Sequence, residues 1–193
     1  MVASGADALG LVFYPDSPRY IETPLARDIA LSVAPFVTVT GLFVNAVPAT
    51  IEQTLDTVPL GLLQFHGSES NNHCNSWGLP FIKSIAMQPG LDVMSVVEQY
   101  PDAAGFLLDT WQPGTHGGGG QAFDWEEVPA RVQRPLILAG GLTPDNVAQA
   151  IRQVRPYAVD VSSGVESAPG IKSAGRIEEF MTGVERGRTD VQG

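Results

Sequence analysis

The chain has 193 residues, enough for one domain with a full core, and carries 21 acidic against 11 basic side chains, a net charge of −10. That balance argues against a nucleic-acid or membrane-surface partner, where a basic face is expected, and leaves any anionic ligand to be held by local groups. A single cysteine, Cys74, excludes an internal disulfide and a cysteine-rich metal site. No stretch is long enough to span a membrane, and the N-terminus does not read as a signal peptide, so a cytoplasmic protein is expected.

Taken in order, Met1 to Ser4 followed by Gly5 reads as the end of a helix running into a strand, Ala8 to Phe13. The loop YPDSPR (14–19) follows. Leu25, Ile29 and Val33 recur every four residues on a helix that Pro35 stops. Phe36 to Val44 reads as the second strand, closed by Asn45. Pro48 opens a helix bearing Ile51, Leu55 and Val58. Leu60 to Phe65 is a third strand ending at His66 and Gly67. A short helix is expected in the polar stretch 68–76. Pro80 to Ile85 is a fourth strand, and Val93, Val96, Val97 and Tyr100 make a helical stripe. Ala104 to Leu108 runs into Asp109. A glycine-rich loop spans 114–120, and Asp124 can cap a short helix at Trp125.

The stretch 135–166 organises the rest. An apolar strand, Pro135 to Ala139, meets Gly140 and Gly141. Thr143 and Pro144 then read as cap and first turn of a helix whose Val147, Ala150, Ile151 and Val154 share one face. A strand from Ala158 to Val161 ends in Ser162-Ser163-Gly164. Small residues after both strands fit either a phosphate cradle or an ordinary βαβ unit with glycine turns. The last helix carries Ile177, Phe180, Met181 and Val184, and the polar tail after Glu185 is expected to fray.

Strands and helices alternate with no hairpin signal, which specifies a parallel sheet with helical crossovers. Seven strands, starting near residues 8, 36, 60, 80, 104, 135 and 158, suit an α/β (β/α)8 TIM barrel better than a five- or six-stranded doubly wound sheet. The expectation is one barrel domain over 1–193, N-terminally incomplete, with seven of the eight strands and two free edges that favour instability or aggregation. Asp109, at a strand end after apolar residues, is placed for a raised pKa and acid catalysis, or is a turn aspartate. Arg19 on the same face can take a carboxylate bidentately, or is a solvated arginine. His66 either faces a ligand or caps the next helix. Lys83, inside a strand, and Cys74 read as structural, and His66, His73 and His116 lack metal-ligand spacing.

The segments GADALGLVFYPDSPRY (5–20), GLFVN (41–45), LLQFHG (62–67), FLLDT (106–110), GGGGQAFDW (117–125), LAGGLTPDNV (138–147) and VDVSSGVESAPGIK (159–172) together resemble phosphoribosylanthranilate isomerase of tryptophan biosynthesis, in order along nearly the whole chain. The resemblance implies a cofactor-free Amadori rearrangement of N-(5-phosphoribosyl)anthranilate to 1-(2-carboxyphenylamino)-1-deoxyribulose 5-phosphate. In it Asp109 is the general acid, Arg19 holds the anthranilate carboxylate, and Gly140, Gly141, Ser163 and Gly164 cradle the phosphate, with His66 in the site. A monomer or homodimer is implied. Three positions depart from the family pattern. Its base, a cysteine ending the first strand, has no counterpart; Gly-Gly-Thr-Gly is Gly117 to Gly120; and Ser173 stands where an aspartate is usual. The first departure keeps open a phosphosugar-binding barrel without catalysis. An indole-glycerol-phosphate synthase would need lysines at strand ends and a pentose-phosphate epimerase a metal site, and neither is seen.

Overall fold

The computed structural model describes residues 2–111 and 122–192. Seven strands, β1 (Ala8–Val12), β2 (Thr38–Phe43), β3 (Leu62–Phe65), β4 (Phe81–Met87), β5 (Gly105–Thr110), β6 (Leu136–Leu138) and β7 (Ala158–Val159), form one parallel sheet in sequential order. Sequential parallel order requires a crossover between each pair. The crossovers carry α1 (Thr23–Ser32), α2 (Pro48–Thr57), α3 (Asn71–Asn75), α4 (Val93–Glu98) and α5 (Val147–Val154), and α6 (Ala174–Gln192) ends the chain. Between β5 and β6 the described residues hold only a 3-10 turn, Trp125–Glu127, capped by the Asp124 carboxylate on Glu126 N–H. Among the described residues neither β1 nor β7 pairs a further strand, apart from one bridge between Val12 and Tyr20.

Two apolar clusters hold the sheet to its helices. The larger joins Phe43, Phe65, Phe81 and Phe106 of β2 to β5 with Ala26, Ile51, Cys74 and Val93 of α1 to α4. Its phenyl rings run across neighbouring strands, Phe13–Phe43 at 5.4 Å and Phe43–Phe65 and Phe65–Phe81 at 6.1 Å between centroids, spacings at which aromatic pairs attract. The smaller joins Leu138, Leu142, Val147, Ile151, Val165, Ile177, Phe180 and Val184, packing α5 on α6.

Several local expectations are corrected. Strand β2 begins at Thr38 because Phe36 sits at φ 71° with its ring wholly in solvent, outside the sheet. Helix α5 begins at Val147, not Thr143: the Asn146 side chain donates to Gly141 O at 2.9 Å and accepts from Thr143 N at 2.8 Å, which holds 143–146 as a turn ahead of the helix. A hairpin does exist, with β8 (Glu166–Ala168) antiparallel to β9 (Ile171–Lys172) around Gly170 at φ 80°. The tail does not fray after Glu185, because α6 stays helical to Gln192. Gly183 and Gly187 let it approach α5: a methyl at Gly187 would lie 2.9 Å from Ile151 Cβ and 3.1 Å from Ala148. Where the end of a helix is expected, Val2–Ser4 form a single 3-10 turn, and Gly5 follows at φ 89°.

Candidate functional site

All seven strands point the same way, so their C-terminal ends share one rim. On it stand the loop after β1 with Arg19, His66 after β3, Asp109 within the end of β5, Gly140 and Gly141 after β6, and Asp160 to Gly164 after β7. The glycine-rich stretch 117–120 and His116 lie outside the described residues.

Asp109 is half-buried, and its carboxyl is raised from 3.8 to about 6. Desolvation is the main cause, the N–H of Thr110 opposes it, and the Asp160 carboxylate adds to it. Asp160 is itself raised by desolvation, against the pull of Lys172. Gly140 is what lets the β6 loop approach. At φ 75° with Asp109 Oδ1 3.0 Å from where a Cβ would stand, and with Thr110 closer still, only glycine fits. Gly141 follows at φ 64°.

Gly141, Thr143, Ser163 and Gly164 line an open cleft of about 440 Å³, together with Arg176 of α6 and the acids Asp145 and Glu179. Gly164 presses so closely on the Leu142 carbonyl that no side chain could be added there. The two glycine loops therefore meet and present bare backbone beside a cation, an arrangement that suits an anion such as a phosphate.

Arg19 is not a solvated arginine. Its Nε donates to Glu166 Oε1 at 2.7 Å and its Nη2 to Glu166 Oε2 at 2.8 Å, a bidentate pair. Lys172 Nζ donates to the same Oε1 at 2.9 Å and to Ser162 O at 2.8 Å. Burial pushes the Glu166 carboxyl up, but the hydrogen bonds and charges of Arg19 and Lys172 outweigh it, leaving it at about 2. Glu166, Lys172, Arg176 and Asp160 were not singled out from sequence. An acid closing the small-residue run 162–165 and a cation in the first turn of the last helix were the available signals.

His66 accepts no helix-capping role, since Ser70 caps α3 through His73 N–H. Its Nε2 lies 2.7 Å from Gln64 Oε1, and its backbone N donates to Phe43 O at 2.9 Å. It stands on the β3 side of the rim. Lys83 is structural, as expected, but through polar chemistry. Its buried Nζ donates to Phe65 O, to Gly67 O and to Glu69 Oε2, while Glu69 Oε1 accepts from Asn45 N at 2.7 Å and Gly67 N at 3.3 Å. This pair ties the loops after β2 and β3 together and so fixes the backbone on either side of His66. Cys74 is fully buried, with its thiol pushed up to about 12, mainly by burial. Among the described residues no group of three His, Cys, Asp or Glu side chains is placed to hold a metal ion, and no helix is long and apolar enough to cross a membrane.

Seven parallel strands in barrel order, with an acid and two glycine loops on the C-terminal rim, place the chain among (β/α)8-barrel enzymes. The structure superposes on phosphoribosyl anthranilate isomerase from Thermotoga maritima with a TM-score of 0.86 at 41% identity, covering 95% of this chain and 90% of that one. A phosphoribosyl anthranilate isomerase in complex with reduced 1-(o-carboxyphenylamino)-1-deoxyribulose 5-phosphate gives 0.80 at 38% identity, with the same coverage. Among sequences, the N-(5'-phosphoribosyl)anthranilate isomerase of Cellvibrio japonicus is 54% identical over 181 residues, 94% of this chain and 84% of the relative. That of Pseudomonas aeruginosa UCBPP-PA14 is 53% identical over 188 residues, 97% and 89%. The family model for N-(5'-phosphoribosyl)anthranilate isomerase matches residues 1–183, and the chain belongs to that family.

Proposed function

We propose that this chain, as a single barrel domain over residues 1–193, rearranges N-(5-phosphoribosyl)anthranilate to 1-(2-carboxyphenylamino)-1-deoxyribulose 5-phosphate in tryptophan biosynthesis, with Asp109 as general acid. The observation that carries the role is the carboxyl raised to about 6 at a strand end on the rim. Raised to about 6, Asp109 keeps a minor protonated fraction at neutral pH, and in that form it gives its proton to the furanose ring oxygen, the C1–O bond breaks, and a Schiff base forms. Loss of the proton at the second sugar carbon gives the enolamine, which tautomerises to the ketone. Arg19 holds the anthranilate carboxylate and His66 borders the substrate. Gly140, Gly141, Ser163 and Gly164 hold the phosphate through backbone N–H groups, with Arg176 beside them. The substrate is a small phosphorylated molecule. The acidic net charge supports an enzyme without a nucleic-acid partner, and the enzyme works in the cytoplasm as a monomer or homodimer.

One observation favours a second reading, phosphosugar binding without turnover. The proton at the second sugar carbon needs a base, and the only cysteine is buried with its thiol near 12, almost wholly protonated at neutral pH. Steady-state assay of the purified chain decides between them. Isomerisation reduced about 10²- to 10⁴-fold by Asp109→Asn is the expected result for the enzyme. Product-analogue binding with no turnover in the unaltered chain would replace it with the binding reading.

A further inference from the structure

We propose that Glu166 is a positioning residue for Arg19, filling one edge of its guanidinium and presenting the other edge to the substrate carboxylate. The inference rests on Arg19 as the carboxylate holder and adds how that residue is aimed. A guanidinium has two edges that each match a carboxylate: Nε with Nη2 from the side, and Nη1 with Nη2 from the end. Glu166 takes the side edge, at 2.7 and 2.8 Å, and no described residue bonds Nη1. The end edge is therefore the one left for a ligand.

Glu166 is the fixed member of the pair. Its side chain is 6% exposed against 19% for Arg19. Lys172 holds its Oε1 at 2.9 Å while also donating to Ser162 O, and Arg176 Nη1 donates to its backbone oxygen at 2.9 Å. Arg176 lines the cleft with Ser163 and Gly164. One residue thus ties the guanidinium to the segment that borders the cleft, and sets the two anion-binding ends of the site at a fixed spacing. Preorganising a flexible side chain in this way lowers the ordering cost at binding.

Glu166 faces two cations, Arg19 and Lys172, so neutralising it raises the local positive charge. On charge alone, Glu166→Gln should tighten an anionic ligand. A gate, in which the substrate carboxylate displaces Glu166 from Arg19, predicts the same. Positioning predicts the opposite.

The test is calorimetric binding of two probes: reduced 1-(o-carboxyphenylamino)-1-deoxyribulose 5-phosphate, and the same compound without its carboxylate. Glu166→Gln, and Glu166→Asp, which keeps the charge but withdraws it, should each weaken the carboxylate probe about tenfold, the scale of one hydrogen bond to a charged group. The probe lacking the carboxylate should bind as in the unaltered protein, a selectivity that a general loss of structure would not produce. Tighter or unchanged binding of the carboxylate probe, or equal weakening of both, overturns the proposal. The unaltered chain gives an independent reading by nitrogen-resolved NMR. The Arg19 Nε proton should stay protected from exchange when the carboxylate probe binds, and loss of that protection would show displacement and overturn positioning even if both variants failed to fold. If the unaltered chain binds neither probe, the substrate assignment itself falls, an outcome distinct from binding without selectivity.

Discussion

Desolvating the Asp109 carboxyl moves it from 3.8 to about 6, and the same shift has a cost in stability. Between those values the folded chain binds more protons at this site than the unfolded chain, so stability falls as pH rises through the window and the penalty is complete above it. Two units correspond to roughly 3 kcal/mol, an upper figure for a half-buried group. Asp109→Asn removes the penalty. Urea denaturation should therefore find the variant more stable than the unaltered chain at pH 8, by about 1–3 kcal/mol, with the gain shrinking towards pH 4. A gain that does not depend on pH would mean that the carboxyl is not raised. The position of Asp109 was legible, because a lone acid closing an apolar strand is a local pattern. The pairing of Arg19 with Glu166 was not. The partners are 147 residues apart, and no periodicity or spacing reports a contact at that distance. Lys83 reads as structural from its place inside a strand, but its counter-charge, Glu69 on the loop after β3, does not show in the sequence.

At the scale of elements, strand and helix order was legible because each carries its own period, and the small elements around the cleft were not. The hairpin strands β8 and β9 have three and two residues, too few for alternation to register. Thr143-Pro144 has the composition of a helix start, yet the Asn146 side chain captures the same backbone for a turn. That turn, with Gly164 pressed against Leu142 O, is what brings the loops after β6 and β7 together. A methyl at Gly164 must push them apart. Gly164→Ala should cost about 1–3 kcal/mol of stability, the usual range for overpacking, and weaken inorganic phosphate binding at least tenfold. Gly10→Ala, where an added Cβ meets nothing within 4 Å, should leave phosphate binding unchanged. Calorimetric titration with phosphate checks both. Equal phosphate affinity in Gly164→Ala would mean that the cleft is not the phosphate site.

The whole molecule divides by its packing. The larger cluster spans β1 to β5 with α1 to α4, and the smaller holds β6, α5 and α6, with Phe123 packed against both. Strand pairing weakens in the same direction: β4 and β5 pair from Ile82–Gly105 to Met87–Thr110, whereas β6 and β7 share two rungs. Few rungs and a separate core favour opening of the C-terminal part without global unfolding. Native-state hydrogen exchange should give amides of α5, α6 and β6 a common opening free energy below that of β3 to β5. Phe123→Ala should widen the gap, since it removes a side chain shared by the two clusters. The proposed site crosses this divide, with Asp109 on one side and the cleft proposed for the phosphate on the other, and a ligand touching both binds only the closed form. Reduced product analogue at about 100 times its Kd should then raise the C-terminal opening energy by about 2.7 kcal/mol. Inorganic phosphate bound in the proposed cleft alone should protect the smaller side by its own occupancy and leave β3 to β5 unmoved. One exchange energy shared by all these strands and helices would show instead that the molecule opens as a single unit, and that its two cores are a division of space alone.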